Sequence, residues 1–251
     1  MKRVVFFGSI GLARKCLEEI VIGQDIELLG VCCSPIISGW REDESVYSYC
    51  ESNNIPILTF DEVEDLSPDI GFSVRYDKII PEKVIYSFKQ GIFNTHGGIL
   101  PEYRGSYCNI NALINNEEEY GVTLHYISKG VDVGDVVAIK KVKITEDDTG
   151  FTLYKKSEQL CYDVLRENIQ DILNDTNKRI PQEDLIQSGH SFGTYYAKST
   201  LEKKSIGLEN LKDSMNIVRA FDSPYHEPAY TEVEGKKIYL RVSYGPSVSN
   251  N

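Results

Sequence analysis

Through the first part of the chain, short apolar runs alternate with stretches whose apolar positions recur at helical spacing. Val4 to Phe7 reads as a strand that meets the turn Gly8-Ser9-Ile10-Gly11, after which Leu12, Cys16, Leu17 and Ile20 mark a helix. Ile26 to Cys33 predicts a second strand. A loop from Ser34 to Glu44, holding Pro35, Gly39 and the lone Trp40, leads to a short helix ending near Asn53. Ile55 to Thr59 and Ile70 to Val74 are further short apolar runs, and Pro81 opens a helix with Val84, Ile85 and Phe88 on its apolar face. A strand then ends at Asn94. Strand-helix units in this order predict an α/β fold, Rossmann-like, with a mostly parallel sheet and helices on both faces.

The second part changes texture. Ile110 to Asn115 looks helical, and Gly121 to Ile127 with Val136 to Ile144 predicts two antiparallel strands that extend the sheet. From Thr149 the positions Leu153, Leu160, Val164, Leu165 and Ile172 mark a long amphipathic helix, with Thr149 or Thr152 near its cap. Residues 1–185 are expected to form one catalytic domain. Residues 186–251 are expected to add a small C-terminal extension, a helix near Leu208 to Phe221 and a β-hairpin around Glu234-Gly235, with a loose tail after Ser243. Alternating Val233, Ile238, Leu240 and Val242 fit either a dimer interface or a cover for the main sheet.

Composition narrows the class. A formal charge of −11 and a pI near 4.9 argue against a broad nucleic-acid surface, and no segment is apolar enough to span a bilayer. The six cysteines show no paired C-x-x-C spacing, which suits reduced thiols in a cytoplasmic protein, and the N-terminal apolar run is too short for a signal sequence. No histidine spacing suggests a metal site.

The densest chemistry lies between Gly91 and Asp135. Strand alternation puts Asn94 and His96 on one face of a strand end, and Asp132 follows in a second glycine-bounded loop. An amide, an imidazole and a carboxylate make a usable acyl-transfer set. Each also has a structural reading: Asn94 as a turn residue, His96 as a loop histidine, Asp132 as one of two acids with Asp135 in a turn. Gly8-x-x-Gly11 fits either a phosphate contact or a plain turn. His125 alternates along a strand and reads as a satisfied structural histidine; His190 and His226 sit in loops.

Asn94-Thr-His96-Gly-Gly-Ile-Leu-Pro101-Glu-Tyr-Arg104-Gly105 resembles the N-x-H-x-S-L-L-P-x-Y-R-G signature of folate-dependent formyltransferases. Gly121 to Ile127, followed by Gly130-Val-Asp132-Val-Gly-Asp135, resembles the second signature of that family, and Arg75 to Pro81 looks like its folate-slot strand end. The C-terminal Ala220 to Tyr230 segment and its hairpin look like the branch that acts on nucleotide-linked deoxyamino sugars in bacterial surface-polysaccharide (O-antigen) biosynthesis. The methionyl-tRNA branch adds a sizeable C-terminal domain that the residues after Tyr196 are too few to supply. The glycinamide ribonucleotide branch uses a phosphate loop whose asparagine is missing here. Gly98 replaces the usual serine, and Asn111 stands where relatives commonly carry tryptophan.

The resemblance implies Asn94, His96 and Asp132 as the catalytic set, with N10-formyltetrahydrofolate as co-substrate and no metal. It assigns the pterin to Tyr76, Lys78, Ile79, Ile80, Gly130 and Val131. For a nucleotide-linked amino sugar, Gly8, Ser9, Arg75, Tyr103, Arg104 and Gly105 are candidates, although Arg104 fits equally as a brace of its own turn. Trp40 or a tyrosine could stack on the base. Family analogy implies a homodimer. Other acceptors, glycinamide ribonucleotide or methionyl-tRNA, and a non-catalytic folate- or nucleotide-binding protein stay open as alternatives.

Overall fold

The computed structural model describes residues 1–9, 11–23, 25–35, 45–210 and 214–243; Trp40, the start of the loop helix at Glu44 and the tail after Ser243 lie outside them. The centre is a six-stranded sheet in the order β2-β1-β3-β4-β6-β7, formed by β1 (Lys2–Gly8), β2 (Ile26–Cys32), β3 (Ile70–Val74), β4 (Gly91–His96), β6 (Glu119–Tyr126) and β7 (Val136–Lys143). β1, β2, β3 and β4 pair in parallel; β6 runs antiparallel to both of its neighbours. This is the mostly parallel α/β sheet that the sequence predicts.

Alternation along the strands divides the interior into two layers. Val4 and Phe6 of β1 and Phe93 of β4 enter one core, covered by α1 (Leu12–Ile22), α2 (Val46–Ser52), α5 (Cys108–Ile114) and α6 (Gly150–Leu173). Val5, Phe7 and Ile92 point the other way, against α3 (Phe60–Leu66) and α4 (Glu82–Ile85). Helices therefore cover both faces. Gly8 marks a close approach: a Cβ there would lie 2.6 Å from the Ala13 Cβ and 2.8 Å from the Val74 carbonyl.

One local signal behaves differently in the fold. Ile55 to Thr59 makes only an isolated parallel bridge, Ile57 to Val31, and its end is taken by the cap of α3. Thr59 and Glu62 form a reciprocal capping box, Thr59 Oγ1 accepting the Glu62 N–H while Glu62 accepts the Thr59 N–H. α6 begins as expected, with Thr149 capping the Thr152 N–H at 3.2 Å.

After α7 (Gln182–Gln187), the strand β8 (Thr194–Tyr196) pairs in parallel with β5 (Tyr103–Gly105), which fixes the Tyr-Arg-Gly turn from outside the main sheet. α8 (Met215–Phe221) contributes Val218, Ala220 and Phe221 to the first core. Its Arg219 donates to the Asp148 and Thr145 carbonyls at 2.8 and 2.6 Å, tying α8 to the start of α6. The terminal hairpin, β9 (Tyr230–Val233) with β10 (Lys236–Tyr239), turns at Glu234-Gly235.

Candidate active site

The carboxyl ends of β3 and β4 open into a cavity of about 770 Å³, the position at which open α/β sheets commonly bind ligands. Asn94, Thr95 and His96 come from β4, Arg75 and Tyr76 follow β3, and Gly105 to Ile110 lead into α5. Tyr154 and Ser157 of α6 form a wall, and Ser223 to His226, just past α8, close the outer side.

Register brings the polar groups together. Asn94 of β4 pairs with His125 of β6, so both side chains share a sheet face. His125 Nδ1 lies 2.8 Å from the Tyr126 carbonyl, which can only accept, so the ring proton is on Nδ1. Nε2 is then free to accept from Asn94 Nδ2 at 3.1 Å. One amide hydrogen of Asn94 is committed, and the second is left for an oxygen in the cavity that Asn94 lines.

His96 is held by the opposite logic. Its Nε2 donates to the Tyr103 carbonyl at 2.6 Å, and its Nδ1 lies 3.5 Å from Asp132 Oδ2. Nδ1 is therefore the ring nitrogen not already donating, and it faces the Asp132 carboxylate. Gly98 allows this approach, since a Cβ there would meet the Tyr103 carbonyl at 2.5 Å and His96 Nε2 at 2.7 Å. The Cys108 thiol, 3.7 Å from the same nitrogen, is pushed well up by burial and stays protonated.

Asp132 completes the cluster from a strained loop. Its backbone is left-handed at φ 54°, its Oδ2 accepts the Gly105 N–H at 2.8 Å, and its Oδ1 lies 3.6 Å from His125 Nε2. Buried Gln182 clamps the loop, Nε2 lying 2.9 Å from both the Asp132 and Gly134 carbonyls. Replacing Gln182 by alanine should loosen Asp132 and lower kcat on the order of tenfold, and the carbonyls it leaves unpaired should lower the melting temperature by a few degrees. An unchanged kcat would show that the clamp does not govern the carboxylate.

The structural reading of His125 is thus incomplete: it orients Asn94 and faces Asp132. Neither it nor Gln182 carries a local sequence signal, because the first needs the β4–β6 register and the second the fold-back of α7. Burial, the largest cause, lowers the His125 pKa to about 4, with Asp132 opposing and His96 adding to the shift. Between about pH 4 and 6.5 the unfolded chain binds a proton that the folded one does not. Stability is then complete above pH 6.5 and declines as pH falls toward 4, by roughly 3 kcal/mol in all. A His125→Asn protein should show a flatter dependence of melting temperature on pH over that range.

The other predicted site residues divide. Arg75, Tyr76 and Gly105 line the cavity. Gly8 is packed against α1, and the buried Ser9 hydroxyl donates to Asp77 Oδ1 at 2.6 Å, so both are engaged in the framework rather than in the cavity wall. The Tyr103 ring stacks on Tyr196 and its hydroxyl donates to Glu117 at 2.6 Å, away from this cavity. Arg104 donates to the Gly193 carbonyl at 3.2 Å and lies over Phe192, so it ties its turn to the segment before β8 rather than bracing the turn on itself. Ile80 is buried beside Tyr76 in the second core, whereas Lys78, Ile79, Gly130 and Val131 are exposed. Asp135 accepts from Arg179 Nε at 2.7 Å. Among the described residues no cluster of His, Cys, Asp and Glu is arranged to hold a metal ion, and no helix is long and apolar enough to cross a membrane.

A family model described as formyl transferase matches residues 47–169, and the methionyl-tRNA formyltransferase of Acetivibrio thermocellus is 30% identical over 258 residues, covering 96% of this chain and 79% of that protein. The chain belongs to the formyltransferase family. It is a one-carbon transferase by that membership. Among solved formyltransferases, an N-formyltransferase from Helicobacter canadensis, in complex with folinic acid and dTDP-3-aminofucose, is 25% identical with a TM-score of 0.77, covering 95% of this chain and 86% of the other. A sugar 3N-formyltransferase solved with dTDP and 5-N-formyl-THF is 27% identical with a TM-score of 0.76, covering 95% and 85%. In this formyltransferase a strand-end amide and imidazole converge with a loop carboxylate.

Proposed function

We propose that this formyltransferase moves a formyl group from N10-formyltetrahydrofolate to the amine of a nucleotide-linked deoxyamino sugar. The carrying observation is the cavity of about 770 Å³ that opens directly on Asn94 and His96, with room for a sugar and part of its carrier. Its aromatic and cationic walls, from Arg75, Tyr107, Tyr154, Tyr225 and His226, suit such a ligand. The sugar N-formyltransferases among its structural neighbours support the same reading.

The residues present fit the folate. Lys129 pairs with Glu82 at 3.3 Å and joins the Ser128 to Gly134 loop to the segment that follows β3. Ile79, Val131 and Val133 are exposed on those two segments, while Tyr76, Ile80 and Ile127 belong to the second core. Tyr76, Lys78, Ile79, Ile80, Gly130 and Val131 would hold the pterin between the two segments. Bound there, the folate supplies an activated formyl group. Asn94 donates its second amide hydrogen to the oxygen on which negative charge develops. His96 and Asp132 take the proton that the attacking amine gives up, Nδ1 being the imidazole nitrogen not already donating. Asp132 holds the imidazolium so formed, which returns that proton to N10 as the N10–formyl bond breaks and tetrahydrofolate departs.

Purified protein supplied with N10-formyltetrahydrofolate and a panel of dTDP-, UDP-, GDP- and CMP-linked amino sugars should yield a formamide, detected by mass spectrometry. No product across the panel would end the acceptor assignment. The sequence relatedness to a methionyl-tRNA formyltransferase motivates a second reading, in which charged initiator tRNA is the acceptor. The net charge of −11 weighs against it. Formylation of methionyl-tRNA in the same assay would favour it.

A further inference from the structure

Arg75 is the first residue past β3 and takes a left-handed backbone, φ 51°, which costs a non-glycine residue free energy and is held by its surroundings. Its side chain is largely buried, with the guanidinium 5.0 Å above the Tyr154 ring and Nη2 donating to Ser157 Oγ at 3.3 Å. No carboxylate of the described residues lies within 4.0 Å. Glu158 acts on it only through space and is already paired with Lys155 at 2.8 Å. A guanidinium carries five N–H donors in a planar fork, and one bond to a hydroxyl leaves most of them unused. Tyr154 and the other groups around it hold the cation against the cost of burial, and Arg75 lines the cavity with most of its donors uncommitted.

Thr95 gives a second, independent observation. It pairs in register with Val74, immediately before Arg75, and is only 5% exposed. Its Oγ1 has no nitrogen or oxygen partner, only the weak Cys161 thiol beside it. Thr95, Arg75 and Ser157 all line the cavity that opens on Asn94 and His96. Together they form a polar floor of that cavity.

We propose that this floor binds an anionic group of the acceptor, a phosphate of its nucleotide diphosphate or a carboxylate on its sugar ring, with the Arg75 fork as principal contact. The inference rests on the acceptor reading above and sharpens it: the amine-bearing substrate must be anionic, and a neutral amino sugar lacks the group that holds it. Arginine suits this task because its fork meets two oxygens at once.

Calorimetric titration of the wild-type, Arg75→Met and Arg75→Lys proteins with dTDP, UDP, their parent nucleosides and an aminouronic acid tests it. Wild-type protein should bind a nucleoside diphosphate at least about tenfold more tightly than the nucleoside. Arg75→Met should lose that preference, and Arg75→Lys should recover part of it as a point charge. Binding of 5-formyltetrahydrofolate should be unchanged in both. Arg75 dependence confined to the aminouronic acid would support the proposal with a carboxylate as the source.

Methionine keeps the apolar stem of the side chain, so Arg75→Met should melt within a few degrees of wild type. A lower melting temperature together with lost folate binding would assign Arg75 to the framework and overturn the proposal. Wild-type protein that binds none of the anions, or Arg75→Met protein that keeps its anion affinity within about threefold, would also overturn it. Absence of formamide from every nucleotide sugar beside Arg75-dependent anion binding would remove the acceptor reading alone.

Discussion

Replacing Asn94 by alanine is expected to lower kcat by about 10²–10³, the loss typical when one preorganised donor to a developing oxyanion is removed. The side chain is held by the Nε2 lone pair of neutral His125, so its free hydrogen is fixed in direction before any ligand arrives. Truncation also strips His125 of its donor, without placing a new charge in the sheet. Steady-state kinetics with saturating folate and acceptor check this, with melting temperature as the control for folding. Full turnover in a folded Asn94→Ala protein would remove the amide from the mechanism.

The second large effect is expected at Gly105, through stability as much as rate. Its backbone lies at φ +90°, and a Cβ there would come within 2.3 Å of the Tyr196 carbonyl. Its N–H is the donor that holds Asp132. Gly105→Ala must therefore part β5 from β8 or distort the turn, and in either case it releases the carboxylate from His96. A destabilisation of about 2 kcal/mol or more is expected, with activity falling further than the folded fraction does. Urea denaturation and specific activity on the same samples separate the two. An unaltered midpoint would show that the β5–β8 pairing yields without cost.

The framework was legible where periodicity is unambiguous. Val4 to Phe7 is buried on both faces, and α6 has a capping pair followed by a long apolar stripe; both elements stand as predicted. The convergence of Asn94 with His96 was also legible, since alternation along one strand suffices to place them. Other features depend on pairings between distant segments. The three residues of β8 become a strand only because Tyr103 to Gly105 offers its backbone, and Ile55 to Thr59 fails to extend as one because its last residue caps α3. Ser9 looked like a ligand group until Asp77 came round to meet it. His125 and Gln182 belong to the same class, since what each one does is set by a partner many residues away.

The cavity's outer wall, Ser223 to His226, hangs from a helix anchored by Arg219 to the entrance of α6, while the amide, imidazole and carboxylate belong to β4 and the β6–β7 loop. The rim of the cavity and its floor are consequently carried by separate stretches of chain. A graft that exchanges only the short segment after α8, leaving the arginine anchor in place, would retune which amines are admitted without disturbing how they are acylated.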